Sequence, residues 1–305
     1  MINRLKESIS KSFVGKEQIV DNLLICLFAG GHILLEDVPG VGKTTLASAL
    51  ARSVDCDFGR IQFTPDTLPA DVIGNEIYNM KTGEFEYRKG GIMHQIVLAD
   101  EINRTSPKVQ SSLLEAMNEG QTTIGGVKYK LPEPFMVIAT QNPIEFMGTY
   151  PLPEAQLDRF MMKLSIGYPS EDEELRMVSN ILENAESSSV DSCISCNDVI
   201  EIKKNVAKVL VNPEVQKYAY NIVESTRNCD RLALGASPRA LLALIKASQA
   251  RAYIDGRDYV KPDDIKQLAY LILGHRVVLT PDAKLAKANV KKIIDGIVVS
   301  VKVPH

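Results

Sequence analysis

The residues most able to do chemistry lie in one short stretch, where the strand-like Ile33-Leu34-Leu35 runs into Glu36-Asp37-Val38-Pro39-Gly40-Val41-Gly42-Lys43-Thr44-Thr45 and then into the apolar helical run Leu46 to Leu50. Glycines at 40 and 42 let backbone amides turn toward one centre, and a helix starting there adds about half a positive charge. Lys43 is spaced to reach the β and γ phosphates of a nucleotide, and the Thr44 hydroxyl to ligate magnesium. Pro39, Gly40, Val41, Gly42, Lys43, Thr44 and Thr45 thus form a candidate polyanion cradle. The strict pattern places its first glycine where this chain has Asp37, so the first turn must be built without one.

A second apolar run, Ile96-Val97-Leu98-Ala99, ends in the paired acids Asp100 and Glu101. Adjacent carboxylates at a strand end point in different directions and can divide the work: Asp100 to the magnesium shell, Glu101 to orienting and deprotonating a water. Arg239 follows Ser237-Pro238 and so falls in the first turn of a helix, where the dipole disfavours a cation by roughly 0.3 to 1 kcal/mol and an anion nearby would offset the cost.

These residues need a frame. Apolar runs at Ile33 to Leu35, Ile61 to Phe63, Ile96 to Ala99, Phe135 to Ala139 and Met162 to Ile166 read as buried parallel strands. Between them lie candidate crossover helices, Thr44 to Ser53 and Pro107 to Asn118, the latter bounded by Ser106 as a cap and Gly120 as a left-handed stop. The pattern predicts a five-stranded parallel α/β sheet flanked by helices, over residues 1–169. Past Tyr168-Pro169 the periodicity is helical, with a Ser-rich connection at Asn184 to Cys196 and helices opened by Ser237-Pro238 and Pro262-Asp263-Asp264; residues 170–305 read as a smaller all-helical domain.

The composition of the 305 residues is that of a globular protein, with 45% hydrophobic and 24% charged side chains, which excludes a disordered or collagen-like chain. A net charge of -3 offers no global field for a phosphate backbone, so nucleic acid is disfavoured as a partner. No run of 18 apolar residues and no apolar leader is present, which reads as a cytoplasmic protein without a membrane span. Five cysteines suit a reducing compartment; Cys193 and Cys196 have CxxC spacing but lack the second pair a structural zinc site needs. His32, His94, His275 and His305 show no metal-ligand spacing.

With those motifs in this order, the chain resembles an AAA+ ATPase, and specifically the MoxR family within the clade that holds the magnesium-chelatase ATPase subunits. The most specific stretches are Leu35 to Thr44, Leu98-Ala99-Asp100-Glu101-Ile102-Asn103-Arg104, Ala139-Thr140-Gln141-Asn142-Pro143 and Leu152 to Phe160. The resemblance implies a second, helical lid domain, ATP as substrate and Mg2+ as cofactor. It also implies Asn142 as the sensor 1 residue that positions the attacking water, Arg159 as a finger offered to the neighbouring subunit, and Arg239 as sensor 2. Val14 and Gly15 match the segment beside the adenine, and Gln62 sits where related enzymes keep a polar switch on the catalytic acid.

Two family insertions are present as hairpins, Ile77 to Tyr87 around a Lys-Thr-Gly turn and Gln121 to Lys130 around Gly125-Gly126. By resemblance the protein is a ring homo-oligomer, a hexamer, working with a partner that bears a von Willebrand A domain, in chaperone-like remodelling or metal insertion. Two rivals stay open: a nucleic-acid-stimulated motor or restriction-type NTPase subunit, and a nucleotide switch that binds without hydrolysis.

Overall fold

The computed structural model describes residues 1–13, 16–38, 40–143, 149–182 and 192–304. The chain forms two compact units. Met1–Leu23, His32–Leu152 and Leu164–Ile200 make the first; Leu24–Gly31, Pro153–Lys163 and Glu201–His305 make the second. Membership is therefore interleaved along the sequence.

In chain order the first part carries α1 (Ile2–Ser12), α2 (Glu17–Phe28), β1 (Ile33–Glu36), α3 (Lys43–Ser53), β2 (Phe58–Gln62), α4 (Pro69–Ile73), β3 (Gly74–Asn79), β4 (Glu84–Lys89), β5 (Ile96–Asp100), α5 (Pro107–Glu119), β6 (Gln121–Ile124), β7 (Val127–Lys130) and β8 (Met136–Gln141). The short α6 (Glu154–Leu157), β9 (Met162–Leu164), α7 (Glu171–Leu182) and α8 (Cys196–Val206) follow. Five strands align in the order β2-β5-β8-β1-β9, and the pairs β2/β5, β5/β8 and β8/β1 are parallel. All of β5 and most of β1 and β8 are buried, because helices cover both faces of a parallel sheet; this is why these strands read as unbroken apolar runs. Each of the five expected runs is a strand, displaced by at most a few residues at its ends.

The local punctuation largely obeys its sequence. Gly120 ends α5 at φ 63°, in the left-handed region where a Cβ is costly. Ser106 stands at the N-cap of α5 but makes no side-chain capping bond, so the cap read from its residue type is positional only. Both insertions are antiparallel hairpins, β3 with β4 and β6 with β7. Gly125 and Gly126 take φ 56° and 84°, as a two-residue turn with both central residues at positive φ requires.

The second unit is chiefly helical, with α9 (Pro213–Arg227), α10 (Pro238–Ile254), α11 (Pro262–Leu273), α12 (Pro281–Leu285) and α13 (Val290–Ser300). One detail departs from an all-helical reading: β10 (Leu232–Leu234) and β11 (Val278–Leu279) pair antiparallel. Strands of two or three residues are too short for a period-two pattern to show. Among the described residues no helix is long and apolar enough to cross a membrane.

The second unit holds a buried basic cluster. Arg276 donates to Asp158 Oδ1 at 2.7 Å and to the carbonyls of Phe160 and Met161, so the desolvated guanidinium is matched by an acid and backbone acceptors. His275 Nε2 lies 3.0 Å from the Phe160 carbonyl and so carries the proton, while Nδ1 has no partner among the described residues. Burial first, and then the Arg276 charge, pull the His275 pKa from 6.5 down to about 3.

Between those two values the unfolded chain binds the proton and the folded chain does not, so the stability His275 lends above pH 6.5 is lost as the pH falls toward 3. Acidification from pH 7 to pH 5 should remove about 2 kcal/mol through this residue. His275→Gln, which keeps a donor for Phe160, should show a shallower fall; an equal loss of unfolding free energy between the two pH values in the variant and the wild type, read by denaturant unfolding, would contradict the assignment.

Candidate active site

Parallel register brings the carboxyl ends of four strands together. Glu36 at the end of β1 pairs with Gln141 at the end of β8, and Asp100 at the end of β5 pairs with Gln62 at the end of β2. Ligands of open α/β sheets gather at such ends.

At the end of β1 the loop turns on Gly40 at φ 87° and Gly42 at φ 84°, backbone that a side chain would strain. A Cβ on Gly40 would meet nothing within 4 Å, so φ, not crowding, demands glycine there. Gly42 is the N-cap of α3, Lys43 its first residue and Thr44 its second. Val41 is buried, Lys43 half-buried, and Gly40, Thr44 and Thr45 are exposed at the mouth of the loop. Lys43 Nζ donates to the carbonyl of Asp37 at 2.8 Å. Val14, Gly15 and Pro39, expected at this site, lie outside the described residues.

Asp37 explains the missing first glycine. Its buried carboxylate accepts from the Ser165 hydroxyl and Gly167 amide, each at 3.0 Å, and from the Ile166 amide. The loop is thereby anchored to the segment after β9, and Lys16 Nζ holds the same segment through the Ile166 carbonyl at 2.8 Å. A side chain does here what a glycine could not.

The two acids are held apart as their adjacency suggests. Asp100 is buried; its Oδ1 accepts from the Thr140 hydroxyl at 2.7 Å and its Oδ2 from Arg60 at 2.7 Å. Glu101 turns out of the strand into the left-handed region, at φ 59° and ψ 49°, a conformation that costs a non-glycine residue on the order of 1–3 kcal/mol. Its amide donates to Thr140 Oγ1 at 2.8 Å, so a single hydroxyl fixes both residues. Glu101 Oε2 accepts from Gln62 Nε2 at 2.8 Å and pairs with Arg104 at 3.1 Å. Arg60 also donates to Gln62 Oε1, closing a chain from Thr140 through Asp100, Arg60 and Gln62 to Glu101.

Asn142, just past β8 in the first unit, is buried, and its carbonyl lies 3.4 Å from Asn103 Nδ2. Arg159 and Arg239 belong to the second unit. Arg159 is half-buried, and its neighbour Asp158 pairs with Arg276 at 2.7 Å. Arg239 is exposed in the first turn of α10, behind Ser237, whose hydroxyl caps the Ala240 amide and contacts Asp158 at 3.1 Å. Among the described residues no group of three or more His, Cys, Asp or Glu side chains could hold a metal by itself.

A parallel sheet whose strand ends carry a glycine-turned phosphate loop and a split carboxylate pair defines a P-loop ATPase of the AAA class. Residues 32–162 match the ATPase family associated with various cellular activities (AAA), and residues 224–297 match the AAA lid domain. The chain is 51% identical over 304 residues to the YeaC protein of Bacillus subtilis, spanning 100% of this chain and 95% of that one. It is 40% identical over 306 residues to Chaperone MoxR1 of Mycobacterium tuberculosis, spanning 97% and 81%. A crystal structure from Cytophaga hutchinsonii, described as that of a candidate ATPase, is similar with a TM-score of 0.93 at 43% identity, over 100% of this chain and 96% of the other. The protein belongs to the MoxR family of AAA+ ATPases.

Restoring the strict-pattern residue should harm this loop. Asp37→Gly leaves the Ile166 and Gly167 amides without their acceptor and should cost about 2–4 kcal/mol in denaturant unfolding. An unchanged midpoint would mean that the anchor contributes nothing.

Proposed function

We propose that this ATPase binds ATP with Mg2+ through the loop at Pro39 to Thr45, hydrolyses it with Glu101 as the base, and uses the cycle for chaperone-like remodelling of, or metal insertion into, a client protein. The observation that carries the hydrolytic part is the placement of Glu101: strained out of the strand, one residue past Asp100, with its carboxylate within reach of Gln62 and Arg104.

The residues fit the nucleotide and its ion. An open, glycine-turned loop capped by the start of α3 suits a triphosphate, and the Thr44 hydroxyl with the Asp100 carboxylate is a hard-oxygen donor set suited to magnesium. Magnesium, when bound, would neutralise charge developing on the β and γ oxygens. Lys43 would leave the Asp37 carbonyl for the phosphates, and Arg60 would share Asp100, whose carboxylate has lone pairs to spare. Glu101 would turn from Gln62 and Arg104 toward a water that Asn142 helps to orient.

Arg159 and Arg239 take the family's finger and sensor 2 roles in this reading, Arg159 acting on the γ-phosphate of a neighbouring copy in a cytoplasmic ring, a hexamer. Val14 and Gly15 serve the adenine. Residues 1–169 would act as the nucleotide-binding part and 170–305 as the lid. A von Willebrand A domain protein is the proposed partner; the Mycobacterium tuberculosis relative is itself named a chaperone.

One set of measurements tests hydrolysis and ring together. Lys43→Ala should lose nucleotide binding and turnover, whereas Glu101→Gln and Arg159→Ala should keep binding and each lose turnover by about 10³-fold or more. Mixing the last two should restore part of the activity, because some sites then pair an intact base with an intact finger. Normal turnover in Glu101→Gln would remove the base; no rescue at any ratio would remove the shared site. Strong stimulation of the wild type by DNA, declining steeply with salt, would instead favour the motor reading.

A further inference from the structure

The cysteines fall into a pattern that spacing does not reveal. Cys196, the first residue of α8, has its sulfur 2.6 Å from the sulfur of Cys56, which lies 140 residues away just after α3. A sulfur–sulfur bond measures about 2.05 Å, so little movement separates the pair from bonding. Cys193, which shares CxxC spacing with Cys196, instead has its sulfur 3.6 Å from the Arg4 carbonyl.

The pair is built into its surroundings. The Cys56 amide donates to the Ala51 carbonyl at 3.0 Å, closing the end of α3, and the Cys193 amide donates to the Ser53 carbonyl at 2.9 Å, laying the segment before α8 against that same helix end. Ser195 and Asp198 exchange bonds at the start of α8, the Ser195 amide to Asp198 Oδ2 at 2.7 Å and the Asp198 amide to Ser195 Oγ at 3.2 Å. Cys196 Sγ is also 3.0 Å from the Asp55 carbonyl and 3.2 Å from Gln95 Oε1. One thiol proton can serve only one acceptor at a time.

We propose that Cys56 and Cys196 form a reversible disulfide, with a peroxide as the two-electron oxidant. Cys196, the more exposed of the two, meets the oxidant first: its sulfur attacks one peroxide oxygen, the O–O bond breaks, and the departing oxygen leaves as water with the thiol proton, giving a sulfenic acid. The Cys56 sulfur then attacks the Cys196 sulfur; the S–S bond forms, the S–O bond breaks, and a second water leaves with the Cys56 proton. The two thiols lose two electrons and the peroxide becomes two waters. Burial raises the pKa of Cys56, in keeping with its role as the second, resolving partner. The bond would tie the far end of the phosphate-loop helix to the helix through which the chain leaves the first unit.

The test uses the reduced, full-length chain, treated with stoichiometric hydrogen peroxide, then denatured and labelled with a thiol-blocking maleimide. Intact mass should show a loss of two hydrogens and label on three of the five cysteines, a peptide map should join Cys56 to Cys196, and a dithiol should reverse the link. Cys193→Ser should leave the link intact, and Cys196→Ser should abolish it. Should Cys196→Ser fail to fold, Cys56→Ser removes the same bond from the other side. Label on all five cysteines after treatment, a Cys193–Cys196 peptide, or loss of the link in Cys193→Ser would each overturn the assignment.

Discussion

The site depends on one hydroxyl. Thr140 Oγ1 donates to the Asp100 carboxylate and accepts from the Glu101 amide, so the buried acid at the strand end and the strained acid beside it are positioned by the same atom. Glu101 in a left-handed conformation is unfavourable on its own, and a residue stays there only where neighbouring bonds over-determine it. Thr140 can reach both because β5 and β8 run parallel with Ala99 beside Ala139, which leaves Thr140 one step further along, level with the end of β5. It is fully buried, so water cannot replace it cheaply.

From that anchor the polar network runs outward along neighbouring strand ends. Arg60 and Gln62 on β2 hold Asp100 and Glu101 from one side, and Arg104 closes on Glu101 from the turn that follows. These contacts neutralise two adjacent carboxylates at the edge of a low-dielectric sheet, where leaving them bare would be costly. The second unit has an equivalent node in Asp158. It accepts from buried Arg276 and from Ser237, and so joins the backbone beside Arg159 to the cap two residues before Arg239. Asp158 thereby links, within a single unit, the two chain segments that carry Arg159 and Arg239.

How much was legible follows from how local each signal is. Gly40, Gly42, Lys43 and Thr44 declare themselves because a strand, a turn and a helix start are adjacent in sequence, and Gly125-Gly126 because a two-residue turn needs nothing beyond itself. The buried strands were readable since covering both sheet faces demands unbroken apolar runs. Arg60, Thr140 and Arg104 were not assigned roles, because their partners come from pairing between strands, and an arginine at position 60 looks like any exposed strand residue until Asp100 is placed beside it. Asp37 read as a departure from pattern; its partners lie 128 to 130 residues further along the chain. The β10–β11 pair escaped because it is shorter than any periodicity.

The most direct test of the central claim replaces the hydroxyl and keeps the shape. Thr140→Val should retain nucleotide affinity, since the glycine-turned loop proposed to bind it is untouched, while kcat falls at least tenfold, about 1.4 kcal/mol in barrier height, with Thr140→Ser restoring most of it. Steady-state turnover and nucleotide titration of a folded Thr140→Val chain that match the wild type would contradict the account.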